Sequence, residues 1–210
     1  MPDIIITKSG SAGRITLNRP KALNAMTYAM CTAIEAALEA WRADPAVSLV
    51  IFDAAGEKAF CAGGDIAELY TTGMQGDFAY GQTFWRDEYR LNAKLHCYPK
   101  PVISFMQGFI MGGGVGLGCH GSHRVVGETS QIAMPECGIG LIPDVGGSLI
   151  LASAPGRSSA APAPSGHRWR SRQSSHREWS ARVRAARRPD CHRPLWRTCR
   201  HRPRRQHRSR

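Results

Sequence analysis

Two carboxylates lie in a stretch of sequence that is otherwise apolar and rich in glycine. Residues 133–147 read AMPECGIGLIPDVGG, with Glu136 directly after Pro135 and Asp144 directly after Pro143. Each proline places its neighbour where the chain changes direction rather than on a solvated helix face. A carboxylate in apolar surroundings has a raised pKa and suits proton transfer. We therefore interpret Glu136 and Asp144 as candidate acid-base residues, with helix capping or turn bonding as the alternative for each.

Two glycine clusters could bring main-chain N–H groups to a ligand. Residues 60–65 read FCAGGD and residues 111–116 read MGGGVG, and each cluster follows a predicted strand. Glycine permits unusual backbone angles and close approach of a ligand to the backbone. Tight packing of helix on strand is the alternative for either cluster. A phosphate-binding loop is not predicted, because the GxxxxGK[ST] pattern is missing.

The elements that must position these residues alternate between strands and helices. Residues 4–7 and 14–17 predict a β-hairpin, and the apolar runs at 47–52 and 102–106 predict buried strands, the first covered on both faces. Thr27 is a favourable N-cap for a helix with an apolar stripe, and further helices are predicted over 66–70 and 78–95. The alternation predicts an α/β fold with sites at strand ends.

Charge divides the 210-residue chain into two parts. Residues 1–157 carry twelve Lys and Arg against fourteen Asp and Glu, whereas residues 158–210 carry sixteen Arg against two acidic residues. The net charge of +12 therefore comes from the second part, which also lacks any apolar period and cannot build a core. Five of the seven cysteines are scattered through residues 1–157 without a CxxC pair, which favours a reducing compartment. With neither a signal-like N-terminus nor an apolar run of about 18 residues, we expect a soluble cytoplasmic protein.

Four motifs in order resemble the signature of the crotonase superfamily. They are FCAGGDI at 60–66, MGGGVGL at 111–117, HG at 120–121, and MPE continuing through IGLIPDVGG at 134–147. Within that superfamily the chain is most similar to the 3-hydroxyisobutyryl-CoA hydrolases, from about residue 4 to residue 157. The resemblance implies an α/β fold with a crotonase-like ββα spiral core. It also implies an acyl-CoA substrate, CoA being part of that substrate and no separate cofactor being needed.

The same resemblance implies roles for individual residues. The backbone N–H groups of Gly64 and Gly113 would form an oxyanion hole, with Glu136 and Asp144 as catalytic residues. Substrate-binding roles are implied for a further set: Glu88, Ala62, Asp65 and Ile66. Enoyl-CoA hydratases resemble the chain too, but they carry a catalytic Glu where this sequence has Gly116. No metal site is expected, since His120 and His123 lack partners at metal-ligand spacing.

Hydrolysis of a short 3-hydroxyacyl-CoA, as in valine catabolism, is therefore the predicted function. Enoyl-CoA hydration or isomerisation is the alternative enzyme. We interpret residues 1–157 as an acyl-CoA domain incomplete at its C-terminus, and residues 158–210 as a disordered basic tail typical of a GC-rich gene read out of frame. We expect such a product to be weakly active or inactive. A rival hypothesis is an inactive fragment whose Arg-rich tail binds nucleic acid. We expect neither nucleic acid nor a membrane as a partner, and a homo-oligomer is left open.

Overall fold

A two-stranded antiparallel hairpin begins the chain. The computed structural model describes residues 1–152, so the predictions for the basic tail lie outside the described residues. Strands β1 (Ile4–Ser9) and β2 (Ala12–Leu17) pair in an antiparallel register that joins Ile4 to Leu17. Gly10, at the turn, has a φ of +58°, a conformation that glycine adopts without strain. The predicted hairpin is confirmed, and its strands are longer than expected.

The chain then alternates between two parallel sheets. Strands β3 (Leu49–Ala54), β5 (Val102–Met106) and β7 (His123–Val126) extend the hairpin in the order β1-β2-β3-β5-β7. Strands β4 (Ala59–Cys61), β6 (Phe109–Met111) and β8 (Gln131–Ala133) form a second sheet in the order β4-β6-β8. After the hairpin, each strand of the first sheet (β3, β5 and β7) leads into one of the second and then into helical structure. This repeat is the ββα spiral that the resemblance implies.

Helix α1 (Tyr28–Arg42) closes one side of the core. The Thr27 side chain accepts a hydrogen bond from the Met30 N–H, so the predicted N-cap is confirmed. The predicted apolar stripe is buried in full and comprises Met30, Ile34, Ala37, Leu38 and Trp41. Its burial anchors the helix to the sheet and supplies much of the free energy that holds the two together.

Strand β3 departs from the sequence prediction in its position and its burial. The strand starts at Leu49 rather than residue 47, because the Val47 N–H closes a turn on the Asp44 carbonyl. Val50 and Phe52 are buried on one face, but on the other face the Asp53 carboxylate pairs with Arg14. The expectation of a strand covered on both faces was therefore wrong for the described residues.

Four more helices complete the described part: α2 (Ile66–Met74), α3 (Phe78–His96), α4 (Gly113–Cys119) and α5 (Gly147–Ala152). Every residue of α4 is buried. A Cβ placed on Gly114 would collide with the Cys61 carbonyl oxygen at the end of β4, so only glycine allows this contact. Within residues 1–152, no helix combines the length and the apolar character needed to cross a membrane.

We predict that Gly114→Ala destabilises the fold, because the Cys61 carbonyl belongs to the backbone and can move only with its strand. The expected loss in the free energy of unfolding is about 1–3 kcal/mol, as for other overpacked cores. Gly127→Ala is the matched control, since nothing lies within 4 Å of a Cβ at that position. Urea unfolding of both variants measures the difference. Equal midpoints would mean that α4 and β4 can separate without loss.

Candidate active site

The loop that follows β4 presents one free main-chain N–H. The Met26 N–H donates to the Gly63 carbonyl, and the Asp65 N–H donates to the Met26 carbonyl, so the residues on either side of Gly64 are fixed. Gly63 itself has a φ of +109°, which a residue with a side chain rarely adopts. Within residues 1–152 the Gly64 N–H donates to no other backbone group. It is therefore available to a ligand.

The start of α4 brings a second N–H to the same place. Gly112 turns the chain with a φ of +49°, and Gly113 begins the helix, where the first N–H groups have no partner within the helix. A Cβ placed on Gly113 would lie 3.4 Å from the Gly64 nitrogen. The structure thus brings the two predicted oxyanion-hole glycines together, although their role stays a prediction.

Glu88 on α3 packs directly against Gly113. Its side chain is 3% exposed, and its Oε1 occupies the position where a Cβ on Gly113 would lie. Oε1 has no hydrogen-bond partner in the described structure. Burial, followed by the charges of Asp144 and Glu136, raises the pKa of Glu88 to about 8. Near neutral pH this carboxyl group is therefore mostly protonated and can donate a hydrogen bond.

Glu136 approaches from the opposite side of the α4 start. It begins a short 3-10 helix, Glu136–Ile139, directly after Pro135, and its Oε1 lies 2.7 Å from the position of a Cβ on Gly112. The side chain is buried, and neither oxygen has a partner among the described residues. Burial, with a smaller contribution from Asp144, raises the pKa of Glu136. An unpartnered carboxylate beside two free N–H groups is suited to accept a proton from water or to attack a carbonyl carbon.

Asp144 reaches the site from the loop before α5. Its carboxylate accepts a hydrogen bond from the Tyr89 hydroxyl at 2.6 Å, which ties the loop to α3 next to Glu88. Burial and this hydrogen bond raise the pKa of Tyr89, so the hydroxyl keeps its proton and remains a donor. The charge of Asp144 also contributes to the raised pKa values of Glu88 and Glu136, which places the three carboxylates in one electrostatic environment.

His120 holds the turn that carries Asp144. Its Nε2–H donates to the Val145 carbonyl at 2.7 Å, and Val145 has a φ of +45°, which is strained for a β-branched residue. The next residue, Gly146, also has a positive φ, and a Cβ there would contact the imidazole at 2.9 Å. Burial lowers the pKa of His120, so the ring is neutral near pH 7. The histidine fixes a backbone conformation that the chain would otherwise avoid.

The remaining predicted substrate-binding residues lie at the entry to α2. Asp65 is the N-cap of that helix and pairs with Arg19 at 2.9 Å, so its carboxylate is engaged within the protein. Ile66 begins the helix and is 48% exposed, whereas Ala62 lies in the loop beside Gly63. These three residues flank the Gly64 loop but do not join the carboxylate cluster. Their roles in substrate binding stay predictions.

Two residues of the site were missed by sequence reasoning, Tyr89 and Asn92. Both lie on α3, one and four residues after Glu88, and helical spacing could have indicated Asn92 because i and i+4 share a face. Asn92 is buried and covers Gly116: a Cβ placed there would lie 2.8 Å from Nδ2, from Oδ1 and from the Val145 Cβ. A side chain at position 116 would therefore require the Asn92 amide and the Val145 turn to shift.

A family model described as enoyl-CoA hydratase/isomerase matches residues 12–186. The chain belongs to this family. Among curated members of it, the chain is 49% identical over 155 residues to the mitochondrial 3-hydroxyisobutyryl-CoA hydrolase of Xenopus tropicalis, a match that covers 74% of this chain and 40% of the relative. It is 40% identical over 153 residues to the probable 3-hydroxyisobutyryl-CoA hydrolase 3 of Arabidopsis thaliana, covering 73% and 40%. The chain thus spans about 40% of the length of these curated relatives.

Solved structures of the family share the fold. An enoyl-CoA hydratase from Rhodobacter sphaeroides is 60% identical with a TM-score of 0.76, and the match covers 80% of this chain and 50% of the other. A carnitinyl-CoA dehydratase from Mycobacterium thermoresistibile is 50% identical with a TM-score of 0.71, covering 74% and 45%. The family's crotonase-like fold is therefore confirmed for this chain. Among residues 1–152, no group of three or more His, Cys, Asp or Glu side chains is placed to hold a metal ion.

The raised pKa of Glu88 predicts how stability depends on pH. The folded chain holds the Glu88 proton more tightly than the unfolded chain, so this contribution to stability is complete below the ordinary pKa of 4.5 and is lost as the pH rises to about 8. Across this window it falls by up to about 1.4 kcal/mol per pH unit. Glu88→Gln should remove this contribution, making the variant more stable than the parent chain at pH 8 but not at pH 4.

Urea unfolding at intervals between pH 4 and pH 8 measures the effect. Glu57→Gln, at an exposed carboxylate, is the matched control and should follow the parent chain throughout. A constant difference between Glu88→Gln and the parent across this pH range would show that Glu88 is ionised in the folded chain.

Proposed function

We propose that this member of the family hydrolyses a short 3-hydroxyacyl-CoA thioester of the 3-hydroxyisobutyryl type to the free acid and CoA. The observation that carries the proposal is the unpartnered Glu136 carboxylate beside the free Gly64 and Gly113 N–H groups, together with a filled position at Gly116. The first three groups suit attack on a thioester. The last disfavours the second carboxylate that hydration uses in similar enzymes, because such a side chain would have to displace the Asn92 amide and Val145.

The proposed reaction follows from charge development on the thioester carbonyl. The two N–H groups donate to the carbonyl oxygen, which becomes an oxyanion on attack, and each such donor contributes roughly 2.7–4 kcal/mol to transition-state stabilisation. Glu136 takes a proton from water, whose oxygen bonds to the carbonyl carbon, or it attacks that carbon itself, in which case water later cleaves the resulting anhydride to the free acid and restores the Glu136 carboxylate. The oxyanion then collapses, the C–S bond breaks, and the thiolate of CoA leaves and is protonated. CoA is part of the substrate, and the proposal needs no separate cofactor.

The other predicted residues have supporting roles in this proposal. Asp144, held by Tyr89, handles protons and orients the substrate hydroxyl. Glu88 lines the acyl pocket beside Gly113. The names of the curated relatives support 3-hydroxyisobutyryl-CoA as the substrate, and valine catabolism is the pathway that we propose. Those relatives extend well beyond the matched segment, so substrate and activity are proposals for this chain.

Enoyl-CoA hydration is the second candidate function. It is favoured by the Rhodobacter sphaeroides structure, which is named an enoyl-CoA hydratase and is 60% identical to this chain. The crowded space at Gly116 argues against it. For location we retain the cytoplasm as the proposal, although the animal relatives are named as mitochondrial proteins.

The decisive experiment compares two reactions of the same preparation. We expect release of free thiol from 3-hydroxyisobutyryl-CoA, followed with a thiol reagent, to exceed hydration of crotonyl-CoA, followed by loss of its ultraviolet absorbance. The ratio of the two rates tests the proposal even if the absolute activity is low. Hydration that exceeds thioester hydrolysis would contradict the proposed function in favour of the second candidate.

Glu136→Gln should lower kcat for thioester hydrolysis at least about 10²-fold, because an amide can neither take the proton nor attack. KM should change little, since the substituted group is similar in size. Asp144→Asn should also lower kcat. Glu128→Gln, at an exposed carboxylate, is the control and should retain full activity. Near-normal turnover by Glu136→Gln would leave this residue with a structural role only.

A further inference from the structure

A buried amide without a partner lies on the same helix as Glu88. Asn92 is 5% exposed, and its Nδ2 donates to no group in the part of the chain that the structure describes. Buried side-chain donors are nearly always hydrogen-bonded, because an unmade bond leaves the cost of desolvation uncompensated. An orphaned donor next to a candidate active site therefore indicates that a ligand supplies the acceptor.

The amide lies one helical turn from Glu88 and close to the turn that carries Asp144. Asn92 follows Glu88 by four residues, so both project from the same face of α3, and they cover Gly116 and Gly113 of α4 respectively. The Cβ position of Gly116 is also 2.8 Å from Val145, the neighbour of Asp144. The Asn92 amide therefore extends from α3 over Gly116 toward the turn that carries Asp144.

The charges of the site restrict what the amide can bind. Glu88, Glu136 and Asp144 supply oxygen acceptors, and the Tyr89 hydroxyl is already used by Asp144. A ligand carboxylate or phosphate would be repelled by the negative charges of Asp144 and Glu136. A hydroxyl group suits the position, because its oxygen accepts from an amide while its hydrogen is donated to a carboxylate.

We propose that the Asn92 Nδ2–H donates a hydrogen bond to the 3-hydroxyl oxygen of the acyl group, while Asp144 accepts the hydrogen of this hydroxyl. Asn92 thereby selects 3-hydroxyacyl thioesters over analogues that lack the hydroxyl. The inference rests on the proposed thioester hydrolysis and assigns its acyl specificity to a residue outside the sequence motifs. The same amide also fills the space over Gly116, so one side chain both recognises the hydroxyl and excludes a carboxylate from that position.

The test compares two substrates that differ only by the hydroxyl, 3-hydroxyisobutyryl-CoA and isobutyryl-CoA. In the parent chain the first should have the higher kcat/KM. Asn92→Leu, similar in volume but without a donor, should reduce this preference at least about 10-fold, because kcat/KM for 3-hydroxyisobutyryl-CoA should fall far more than kcat/KM for isobutyryl-CoA. Asn92→Ala should show the same pattern if the larger variant packs poorly. Gln82→Leu makes the same chemical change at an exposed position of α3 and should leave the preference intact.

Two outcomes would overturn the inference. An equal loss with both substrates would show that Asn92 acts through the fold alone, and an unchanged preference in both variants would show that the hydroxyl binds elsewhere. If the parent chain hydrolyses neither thioester, the proposed function fails by itself. Isothermal titration with the two CoA thioesters then decides the inference: tighter binding of the hydroxylated compound that is lost in Asn92→Leu supports it, and equal binding by the parent chain refutes it.

Discussion

The contact face of α4 has almost no side chains, and the candidate site depends on this constraint. Glu88 of α3 lies against Gly113, the Cys61 carbonyl of the β4 loop lies against Gly114, and Asn92 lies against Gly116. Interiors pack at crystal-like density, so one added methyl group at such a contact separates the surfaces. The end of β4 and helix α3, which are distant in sequence, therefore both pack against the backbone of α4.

Three carboxylates lie close to the α4 backbone, and the fold reduces their mutual repulsion by keeping Glu88 protonated. Three carboxylates share one environment, and burial keeps Glu88 mostly neutral near pH 7 while the Tyr89 hydroxyl hydrogen-bonds Asp144. Among residues 1–152, the Glu136 carboxylate has no hydrogen-bond partner. A site arranged in this way gives up stability that a hydrophobic cluster of the same volume would supply, as is common where function needs unpaired groups.

The sequence predicted the parts of the molecule that obey local rules. Thr27 as an N-cap, the apolar stripe of α1 and the glycine turns follow from short-range chemistry, and the ordered motifs identified the family. The structure also brought Gly64, Gly113, Glu88 and Glu136 together as the resemblance implied. The roles of these residues, the basic tail and the cytoplasmic location stay predictions.

The contacts that sequence reasoning missed join residues far apart in the chain. The Tyr89 hydroxyl meets Asp144 across 55 positions, and His120 meets the Val145 carbonyl across 25. Neither pairing has a local signature, because each depends on how α3 and the Asp144 turn converge on α4. The start of β3 was misplaced for a different reason: an apolar run does not reveal that Val47 closes a turn.

The amide over Gly116 also bears on how hydrolases and hydratases of this fold could diverge. In this chain a carboxylate at position 116 would meet the Asn92 amide and the Val145 Cβ, so Asn92 or the strained Val145 turn would have to shift to admit it. A smaller residue at position 92 would make room, but it would open a cavity that costs about 1 kcal/mol or more for each methyl-sized void. Positions 92 and 116 are therefore coupled, and the effect of a substitution at one depends on the residue at the other.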